Sequence, residues 1–298
     1  MENERYDAVV IGAGTAGMTA GIYLARRGKT AVVLEGNMCG GQIVNTPQVE
    51  NYPGIKSVSG YEFADNMRSQ LIELGGRIEY AKAIGIRTDG GTKTVVTADK
   101  EYVCDRVIIA VGAKSRSLGI ENEQELIGRG VSYCATCDGV FFRGKDAAVV
   151  GGGNTALEDA EFLSDLCRKV YLIHRRDEFR GDSAAVDKLR QKNNVEFVLS
   201  STVEKLVADN NRLSAIIVKN KNDETREISV SGLFIAIGQV PDTDFLRGVA
   251  DMDENGYIIA GEDCKTSADG IYAAGDCRTK SLRQLTPAAA DGAVSTIY

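Results

Sequence analysis

The sequence predicts an α/β fold with two Rossmann-like domains, because one pattern of strand, glycine-rich turn and helix occurs twice. In the first copy, an apolar β-branched run at 8–11 leads into the turn GAGTAG at 12–17. In the second copy, a similar run at 147–150 leads into GGGNTA at 151–156. Turns of this kind, each opening a helix, bind the phosphates of a dinucleotide. A chain of 298 residues is long enough for two domains of about 100 to 200 residues.

The first copy carries the residues that a bound adenine cofactor needs. A helix is predicted at 18–27, and a second strand at 30–34 leads into Glu35, 23 positions after Gly12. At this spacing an acidic side chain accepts a ribose hydroxyl, and the helix N-terminus holds the pyrophosphate. The strands, the helix and the acid together favour nucleotide binding over a purely structural turn. We therefore predict a cofactor with a free ribose here, such as FAD. The candidate residues of the turn are Gly12, Gly14, Ala16 and Gly17.

The second copy differs from the first at the end of its second strand. A helix is predicted at 157–166 and a strand at 169–173, and His174 lies 23 positions after Gly151, where an acid would be expected. Arginines follow it, and guanidinium groups bind a ribose 2′-phosphate that an acid would repel. This register favours NADPH, although an exposed basic turn is the alternative interpretation. His174 is expected to have a structural or stacking role and no acid–base role. The candidate residues are Gly151, Gly153, Asn154, Thr155, His174, Arg175, Arg176 and Arg180.

Cys134, Cys137 and Asp138 form the candidate catalytic group. Two thiols three positions apart can close a small disulfide ring, and the acid beside the second can deliver a proton. Zinc is the alternative, but a chain with one histidine and scattered other cysteines lacks two further ligands at suitable spacing, so we predict no metal. The remaining cysteines are expected to be small buried hydrophobes, at 39, 104, 167, 264 and 277.

Composition limits the partners and the location. A formal net charge of −7 with dispersed basic residues argues against nucleic acid binding. No apolar run approaches the roughly 18 to 20 residues needed to span a membrane. The first residues lack the basic and apolar regions of a secretion signal, so we expect a cytoplasmic protein without a membrane segment.

Over essentially its whole length the chain resembles the low-molecular-weight thioredoxin reductases, which depend on FAD and NADPH. The shared motifs, in the order of the family, are residues 12–17, GGQ at 40–42, ENYPG at 50–54, CATCDG at 134–139, residues 151–156, HRR at 174–176 with FR at 179–180, GD at 275–276 and RQ at 283–284. The resemblance implies two dinucleotide-binding domains of the pyridine nucleotide-disulfide oxidoreductase type. It implies a discontinuous FAD domain at 1–113 plus 246–298 and an NADPH domain at 114–245 that carries the cysteine pair. Apolar runs at 108–113 and 233–238 would then link the domains.

The resemblance also implies functional residues and partners. Electrons would pass from NADPH through FAD to the disulfide of Cys134 and Cys137 and then to oxidised thioredoxin, with domain rotation between the half-reactions. Asp138 would be the general acid, and the cysteine nearer to it would lie closer to the flavin, while the attacking cysteine stays open. A homodimer is expected on the same ground. Further FAD contacts are implied for Glu35, Gly40, Gly41, Gln42, Asn51, Gly275, Asp276, Arg283, Gln284 and Leu285.

Some alternatives remain open at this point. Asp276 follows a predicted buried strand at 271–275, but a structural turn would give the same pattern. Phe141 and Phe142, with Arg129 and Arg143, would dock thioredoxin or contribute to the core. Related flavoproteins use another partner, such as a peroxiredoxin-type or glutaredoxin-like protein, or another donor, such as ferredoxin or a deazaflavin. A redox sensor without catalysis would not need the arginines.

Overall fold

The computed structural model describes residues 5–46 and 48–297, and its chain divides into two compact units. Unit 1 comprises residues 1–114 and 240–298, and unit 2 comprises residues 115–239. Along the first segment the elements are β1 (Arg5–Ile11), α1 (Thr15–Arg26), β2 (Ala31–Glu35), α2 (Gly60–Glu73), β3 (Ile78–Tyr80), β4 (Ala83–Asp89), β5 (Thr92–Thr97), β6 (Glu101–Ile109) and β7 (Ala113–Ser115).

The remaining elements follow in chain order. They are β8 (Val131–Ser132), α3 (Ala135–Asp138), β9 (Asp146–Val150), α4 (Asn154–Ser164), β10 (Lys169–Ile173), α5 (Ser183–Arg190), β11 (Val195–Val198), β12 (Ser201–Asp209), β13 (Arg212–Asn220), β14 (Thr225–Ser229), β15 (Gly232–Ile235), β16 (Gln239–Pro241), β17 (Ile271–Ala273) and α6 (Leu285–Val294). Short 3₁₀ turns occur at Gly41–Asn45, Gly139–Phe142, Asp244–Leu246 and Gly275–Cys277.

Unit 1 is built on a sheet with strand order β3-β2-β1-β6-β5-β4, in which β17 also pairs with β6. Strands β3, β2, β1, β6 and β17 are parallel, whereas β5 and β4 run antiparallel to their neighbours. Alternate residues of β1 enter different cores: Val9 and Ile11 pack on one face, and Ala8 and Val10 on the other. Burial on both faces explains why residues 8–11 of this strand are all apolar.

Unit 2 contains a parallel sheet of order β11-β10-β9-β15-β8 and an antiparallel sheet of order β12-β13-β14. The residues after Asp146 in β9 and after Lys169 in β10 are buried throughout. Their side chains again divide between two cores on opposite faces of the sheet. The turn between β9 and α4 therefore lies at the carboxyl end of a central parallel strand, where α/β sheets bind ligands.

Several local predictions need correction. The helices begin at Thr15 and Asn154, three residues earlier than predicted, because the last positions of each glycine turn already have helical hydrogen bonding. The runs at 108–113 and 233–238 do not form strands that link the two units. Instead, β6 ends at Ile109 and β15 ends at Ile235, each within the sheet of its own unit. The chain passes between the units in β7 and β16, which pair with each other.

Phe141 and Phe142 lie in the 3₁₀ turn at Gly139–Phe142. Among the described residues, no helix combines the length and the apolar character that a membrane crossing requires.

Candidate functional site

Cys134 and Cys137 form a disulfide at the beginning of α3. Their Cα atoms lie 5.3 Å apart, and Cys134 occupies the cap position before the helix. Both residues are half-buried, so the pair is accessible from solvent. The sulfur of Cys134 also lies 3.4 Å from the hydroxyl oxygen of Thr136. The other cysteines of the chain are free and buried, as predicted.

Asp138 ends α3 and is held by Ser132, a residue that the sequence analysis did not identify. The Ser132 hydroxyl lies 2.6 Å from Oδ2 of Asp138. The other carboxylate oxygen, Oδ1, is buried and has no hydrogen-bond partner among the described residues. Burial raises the pKa of Asp138 above its ordinary value, and the hydrogen bond from Ser132 opposes this increase. An acid with a raised pKa beside a disulfide can hold a proton and transfer it to sulfur.

The first glycine turn, between β1 and α1, has two glycines that the fold requires and one that it does not. A Cβ atom on Gly12 would lie 2.4 Å from the carbonyl oxygen of Ala110, and one on Gly17 would lie 1.8 Å from that of Gly12. At Gly14 the nearest atom would be 3.9 Å away. The space at Gly14, above the N-terminus of α1, is what the close approach of a pyrophosphate would use.

Glu35 ends β2 beside this turn with both carboxylate oxygens already fixed. Oε2 accepts a hydrogen bond of 2.8 Å from the amide of Ala13, and Oε1 accepts one of 2.8 Å from the amide of Asn37. Each oxygen has a further lone pair, so the carboxylate is orientated to receive ribose hydroxyls. This geometry fits an adenine cofactor without a 2′-phosphate.

The other candidate residues for FAD come from three segments of unit 1. Gly40 has a positive φ of 108° and donates its amide to the carbonyl of Ala13, which places the 3₁₀ turn with Gly41 and Gln42 against the first glycine turn. Gln42 donates its side-chain amide to the carbonyl of Ala113. The Asn51 amide lies 3.0 Å from Oε1 of Gln284, so these two predicted residues are brought together.

Asp276 lies in the 3₁₀ turn after β17, at the carboxyl end of that strand. Its Oδ1 atom is buried without a hydrogen-bond partner among the described residues, and burial raises its pKa. A buried acceptor or donor of this kind needs a partner, and the hydroxyl groups of a bound cofactor would supply one. Nearby, the guanidinium of Arg283 lies 4.2 Å from the centre of the Tyr257 ring. Leu285 is the first residue of α6, and Ala16 is buried in α1.

A buried charged cluster that no sequence pattern indicates lies next to this turn and is formed by Arg278, Lys280 and Asp291. The Asp291 carboxylate accepts hydrogen bonds of 2.8 Å from Arg278 and from Lys280, and one of 2.9 Å from the amide of Gly275. Helix α6 is thus tied to the turn that carries Asp276. The separation of 13 residues between Arg278 and Asp291 gives no pattern in the sequence from which the pairing could be read.

The second glycine turn, between β9 and α4, repeats the arrangement of the first. A Cβ atom on Gly151 would lie 2.3 Å from the carbonyl oxygen of Ala236, whereas one on Gly153 would meet nothing within 4 Å. Gly152 is also required, because a Cβ there would lie 2.1 Å from the ring of His174. Asn154 accepts a 2.8 Å hydrogen bond from the amide of Asp182, which fixes its side chain, and Thr155 is exposed.

His174 is 5% exposed and stacks on Phe179, with ring centres 5.3 Å apart. Burial lowers its pKa, and the nearby arginine charges lower it further, so the imidazole is neutral at pH 7. Its contacts therefore support the shape of the turn.

Arg175, Arg176 and Arg180 are exposed, and the backbone of Arg180 is held beside the turn by a 2.8 Å hydrogen bond to the carbonyl of Gly152. Within the described residues, none of these guanidinium groups has an ion pair, so their charge is available to a phosphate. No group of three or more acidic, histidine or cysteine side chains suited to a metal is found among residues 5–46 and 48–297.

Comparison with known proteins agrees with this architecture. Residues 6–293 match the pyridine nucleotide-disulphide oxidoreductase family. The chain is 40% identical over 295 residues to a thioredoxin reductase of Listeria innocua, covering 99% of this chain and 92% of that protein. A thioredoxin reductase of Bacillus subtilis is 38% identical, with coverage of 99% and 93%. The crystal structure of the thioredoxin reductase from Streptococcus pyogenes has a TM-score of 0.94 and 39% identity, covering 99% of this chain and 97% of that one.

The chain therefore belongs to the pyridine nucleotide-disulphide oxidoreductases and, within them, to the thioredoxin reductases. The predicted α/β fold class, the resemblance found in the sequence and the assignment to the oxidoreductases are confirmed.

Proposed function

We propose that the protein is a thioredoxin-disulfide reductase that uses FAD and NADPH. The observation that carries the proposal is the Cys134–Cys137 disulfide followed directly by Asp138, an acid with a raised pKa. The disulfide lies in the same compact unit as a glycine turn flanked by three exposed arginines. Membership of the thioredoxin reductases supports the choice of thioredoxin as the disulfide partner.

FAD would be held by unit 1. The open space at Gly14, the fixed carboxylate of Glu35 and the unpartnered oxygen of Asp276 support this assignment. The residues implied by the family motif for the remaining contacts are Gly12, Ala16, Gly17, Gly40, Gly41, Gln42, Asn51, Gly275, Arg283, Gln284 and Leu285. When bound, the flavin would supply the two-electron chemistry that connects a nicotinamide with a disulfide.

NADPH would be held by unit 2. Gly151, Gly153, Asn154 and Thr155 line the turn, and the N-terminus of α4 would contribute free amides and its positive dipole end to the pyrophosphate. The charges of Arg175, Arg176 and Arg180 would select the 2′-phosphate. His174 would keep the turn in shape and offer its ring edge at the adenosine side.

Asp138 would supply the proton that the disulfide chemistry needs. Reduction adds two electrons, breaks the S–S bond and leaves two sulfur atoms that require two protons for a dithiol. A hydride equivalent brings only one proton, so the carboxyl group of Asp138 would give its proton to one of the sulfurs and become a carboxylate. The remaining thiolate can then attack the disulfide of the partner protein, and Asp138 takes a proton back as the second cysteine closes the ring.

We further propose that unit 2 rotates between the two half-reactions, that the protein forms a homodimer and that it is cytoplasmic. The family resemblance supports the first two, and the composition supports the third. A crosslink between β7 and β16 near residues 114 and 242 should stop turnover and leave one half-reaction intact. Full steady-state activity of the crosslinked protein would exclude the rotation.

An anaerobic titration tests the main proposal. The FAD-loaded protein is titrated with NADPH and separately with NADH, and oxidised thioredoxin is then added while the visible flavin absorbance is recorded. We expect NADPH to bleach the flavin at a much lower concentration than NADH and thioredoxin to restore the colour. An Arg175→Ala/Arg176→Ala variant should lose the preference for NADPH, whereas Arg190→Ala, an exposed arginine on α5 of the same unit, should keep it.

Two results would count against the proposal. If neither nucleotide bleaches the flavin, the donor is a different one, such as ferredoxin or a deazaflavin. If NADPH bleaches it but thioredoxin does not restore the colour, the partner is another disulfide protein.

A further inference from the structure

Ser132 is the point at which the acid and the disulfide segment meet. Its hydroxyl oxygen lies 2.6 Å from Oδ2 of Asp138, 3.0 Å from the amide nitrogen of Cys134 and 3.3 Å from the carbonyl oxygen of Cys134. Ser132 ends β8, where Phe234 of β15 is its partner in the sheet, and it is only 5% exposed. The sheet therefore fixes the position of an atom that contacts both Asp138 and Cys134.

The number of protons and lone pairs on the Ser132 hydroxyl determines which of these hydrogen bonds it donates and which it accepts. A serine hydroxyl has one proton to donate and two lone pairs with which to accept. The Cys134 amide can only donate, so Ser132 accepts that bond. Its own proton goes to Oδ2 of Asp138, because this contact is much shorter than the 3.3 Å contact with the Cys134 carbonyl.

The hydrogen bond at Oδ2 determines which oxygen of Asp138 can carry a transferable proton. While Oδ2 accepts the serine proton, a proton on the carboxyl group is carried by Oδ1. Oδ1 is buried and has no partner among the described residues, so nothing else competes for its proton. In the closed disulfide neither sulfur is charged, and a strong acceptor arises only when the S–S bond opens and leaves a thiolate.

We propose that Ser132 is a positioning residue of the reductase, whose hydroxyl holds Oδ2 of Asp138 so that the transferable proton resides on Oδ1 and is delivered to the sulfur released when the Cys134–Cys137 disulfide opens. This inference rests on the proposed function for its chemical step. Two electrons break the S–S bond, the O–H bond at Oδ1 breaks as an S–H bond forms, and Asp138 is left as a carboxylate stabilised by the serine hydroxyl. In the reverse direction the same carboxylate accepts the proton of a thiol.

Other titrating groups lie near Asp138, and their effects on the pH profile must be distinguished from the titration of Asp138. On α4, Phe162 and Leu163 approach Gly139, and Asp159 lies on the same face one turn earlier. Burial, assisted by the charge of Glu158, raises the pKa of Asp159 to about 7.

On the strand side, the Tyr133 hydroxyl lies 2.5 Å from a carboxylate oxygen of Glu123, and burial raises the pKa of this tyrosine. Beyond the 3₁₀ turn, Arg143 is exposed and the ammonium of Lys145 bonds to the carbonyl of Phe141. Once the disulfide opens, the thiols of Cys134 and Cys137 titrate as well.

The test uses an isosteric pair of variants, Ser132→Thr and Ser132→Val, in which only the former keeps a hydroxyl. The FAD-loaded proteins are reduced with dithiothreitol over a range of pH, and the rate is expressed per dithiothreitol thiolate, so that the remaining pH dependence belongs to the protein. The released sulfur needs the proton of Asp138, and this rate should therefore fall as the pH rises through the pKa of Asp138. Asp138→Asn should abolish the fall, and Asp159→Asn should leave it in place.

We expect Ser132→Val to move this fall to higher pH by about one pH unit, because losing the hydrogen bond destabilises the carboxylate. It should also lower the rate at the acidic end by about tenfold, because the proton is no longer confined to Oδ1. Ser132→Thr should stay within about twofold of the wild-type profile. Ser132→Ala provides a second hydroxyl-free variant without the added methyl groups, and should behave like Ser132→Val.

Equal profiles for Ser132→Val and Ser132→Thr would overturn the inference, as would a fall that disappears in Asp159→Asn. Bleaching of the flavin by NADPH is recorded for every variant, and it should stay at the wild-type level in Ser132→Thr and Asp159→Asn. A failure of the proposed function would appear in that signal in all proteins alike. A failure of the role of Ser132 would appear only in the dithiothreitol profile, which does not need NADPH.

Discussion

The carboxylate of Asp291 in α6 forms ion pairs with two buried cations, Arg278 and Lys280. Replacement of Asp291 by asparagine should therefore destabilise unit 1 strongly. The side chains of Arg278 and Asp291 are 3% and 7% exposed, and that of Lys280 is 6% exposed. Burial alone would raise the pKa of Asp291, but the hydrogen bonds from Arg278 and Lys280 lower it below its ordinary value. Asp291→Asn leaves both cations buried without their partner, which costs about 3 to 5 kcal/mol in comparable cases.

Thermal unfolding of the FAD-saturated protein measures this effect. For a domain of this size each kcal/mol lowers Tm by about 2 to 4 °C, so we expect a decrease on the order of 10 °C. The matched control is Glu262→Gln, because Glu262 lies 3.9 Å from the same guanidinium but is 99% exposed. An exposed pair contributes about 0 to 1 kcal/mol, so this control should change Tm by a few degrees at most.

The pH dependence provides an independent check. Since the folded-state pKa of Asp291 is lowered, its stabilisation is present above the ordinary carboxyl pKa and is lost as the pH falls through the lowered value. The difference in Tm between wild type and Asp291→Asn should therefore shrink on acidification. A Tm for Asp291→Asn within about 2 °C of wild type at neutral pH would refute the reasoning, since it corresponds to no more than about 1 kcal/mol.

Other changes test separate parts of the molecule. The raised pKa of Asp159, about 7, means that its protonated form stabilises the fold below the ordinary carboxyl pKa and that this stabilisation is lost as the pH rises to 7. Asp159→Asn should thus raise the free energy of unfolding at pH 8 by about 2 kcal/mol, a value reduced for partial screening of the charge by solvent, and should give no gain near pH 4. Urea unfolding at both pH values measures this, and a gain of equal size at the two would contradict the prediction. Gly14→Ala should fold but lose FAD on gel filtration, because its Cβ has room in the protein alone; retention of FAD would argue against the cofactor position. Gly153→Ala should raise KM for NADPH severalfold at unchanged FAD content, and equal loss of both cofactors would indicate misfolding instead. The Phe141 side chain is 38% exposed, and Phe141→Ala should raise KM for thioredoxin but not KM for NADPH. Equal effects on both KM values would reject docking at this side chain.

The parts of the fold that could be predicted from sequence are those fixed by local patterns. Strand β10 has the bounds that were expected at 169–173, and the second strand of unit 1 differs by one residue at each end. The central residues of both segments are apolar and buried on both faces of a sheet, so that composition and burial agree. The helices start earlier than the sequence pattern predicts, because Thr15 and Asn154 belong both to the glycine turn and to the first helical turn.

The parts that could not be predicted depend on contacts across the chain. Ser132 meets Asp138 because β8 ends beside α3, and no spacing rule assigns a role to a serine two residues before a cysteine. The pairing of Arg278 with Asp291 requires α6 to pack against the turn after β17, which only the tertiary structure determines. Asp291 is the charged residue of a helix that is otherwise mostly apolar, and this is the signal that the sequence offers, since a buried acid needs a partner.

If the two glycine turns bind the cofactors proposed above, one local backbone arrangement supports two different specificities. In both turns the glycine before the helix has open space beside it, and another glycine is confined by a neighbouring carbonyl, so the two turns have the same local geometry. The difference lies at the end of the next strand, where Glu35 presents a carboxylate fixed by two amides and His174 presents a neutral buried ring. A carboxylate would repel a 2′-phosphate, whereas the arginines that follow His174 attract one. Because His174 is neutral and packed against Gly152, the positive charge resides entirely on exposed guanidinium groups, which can reach a phosphate without distorting the turn.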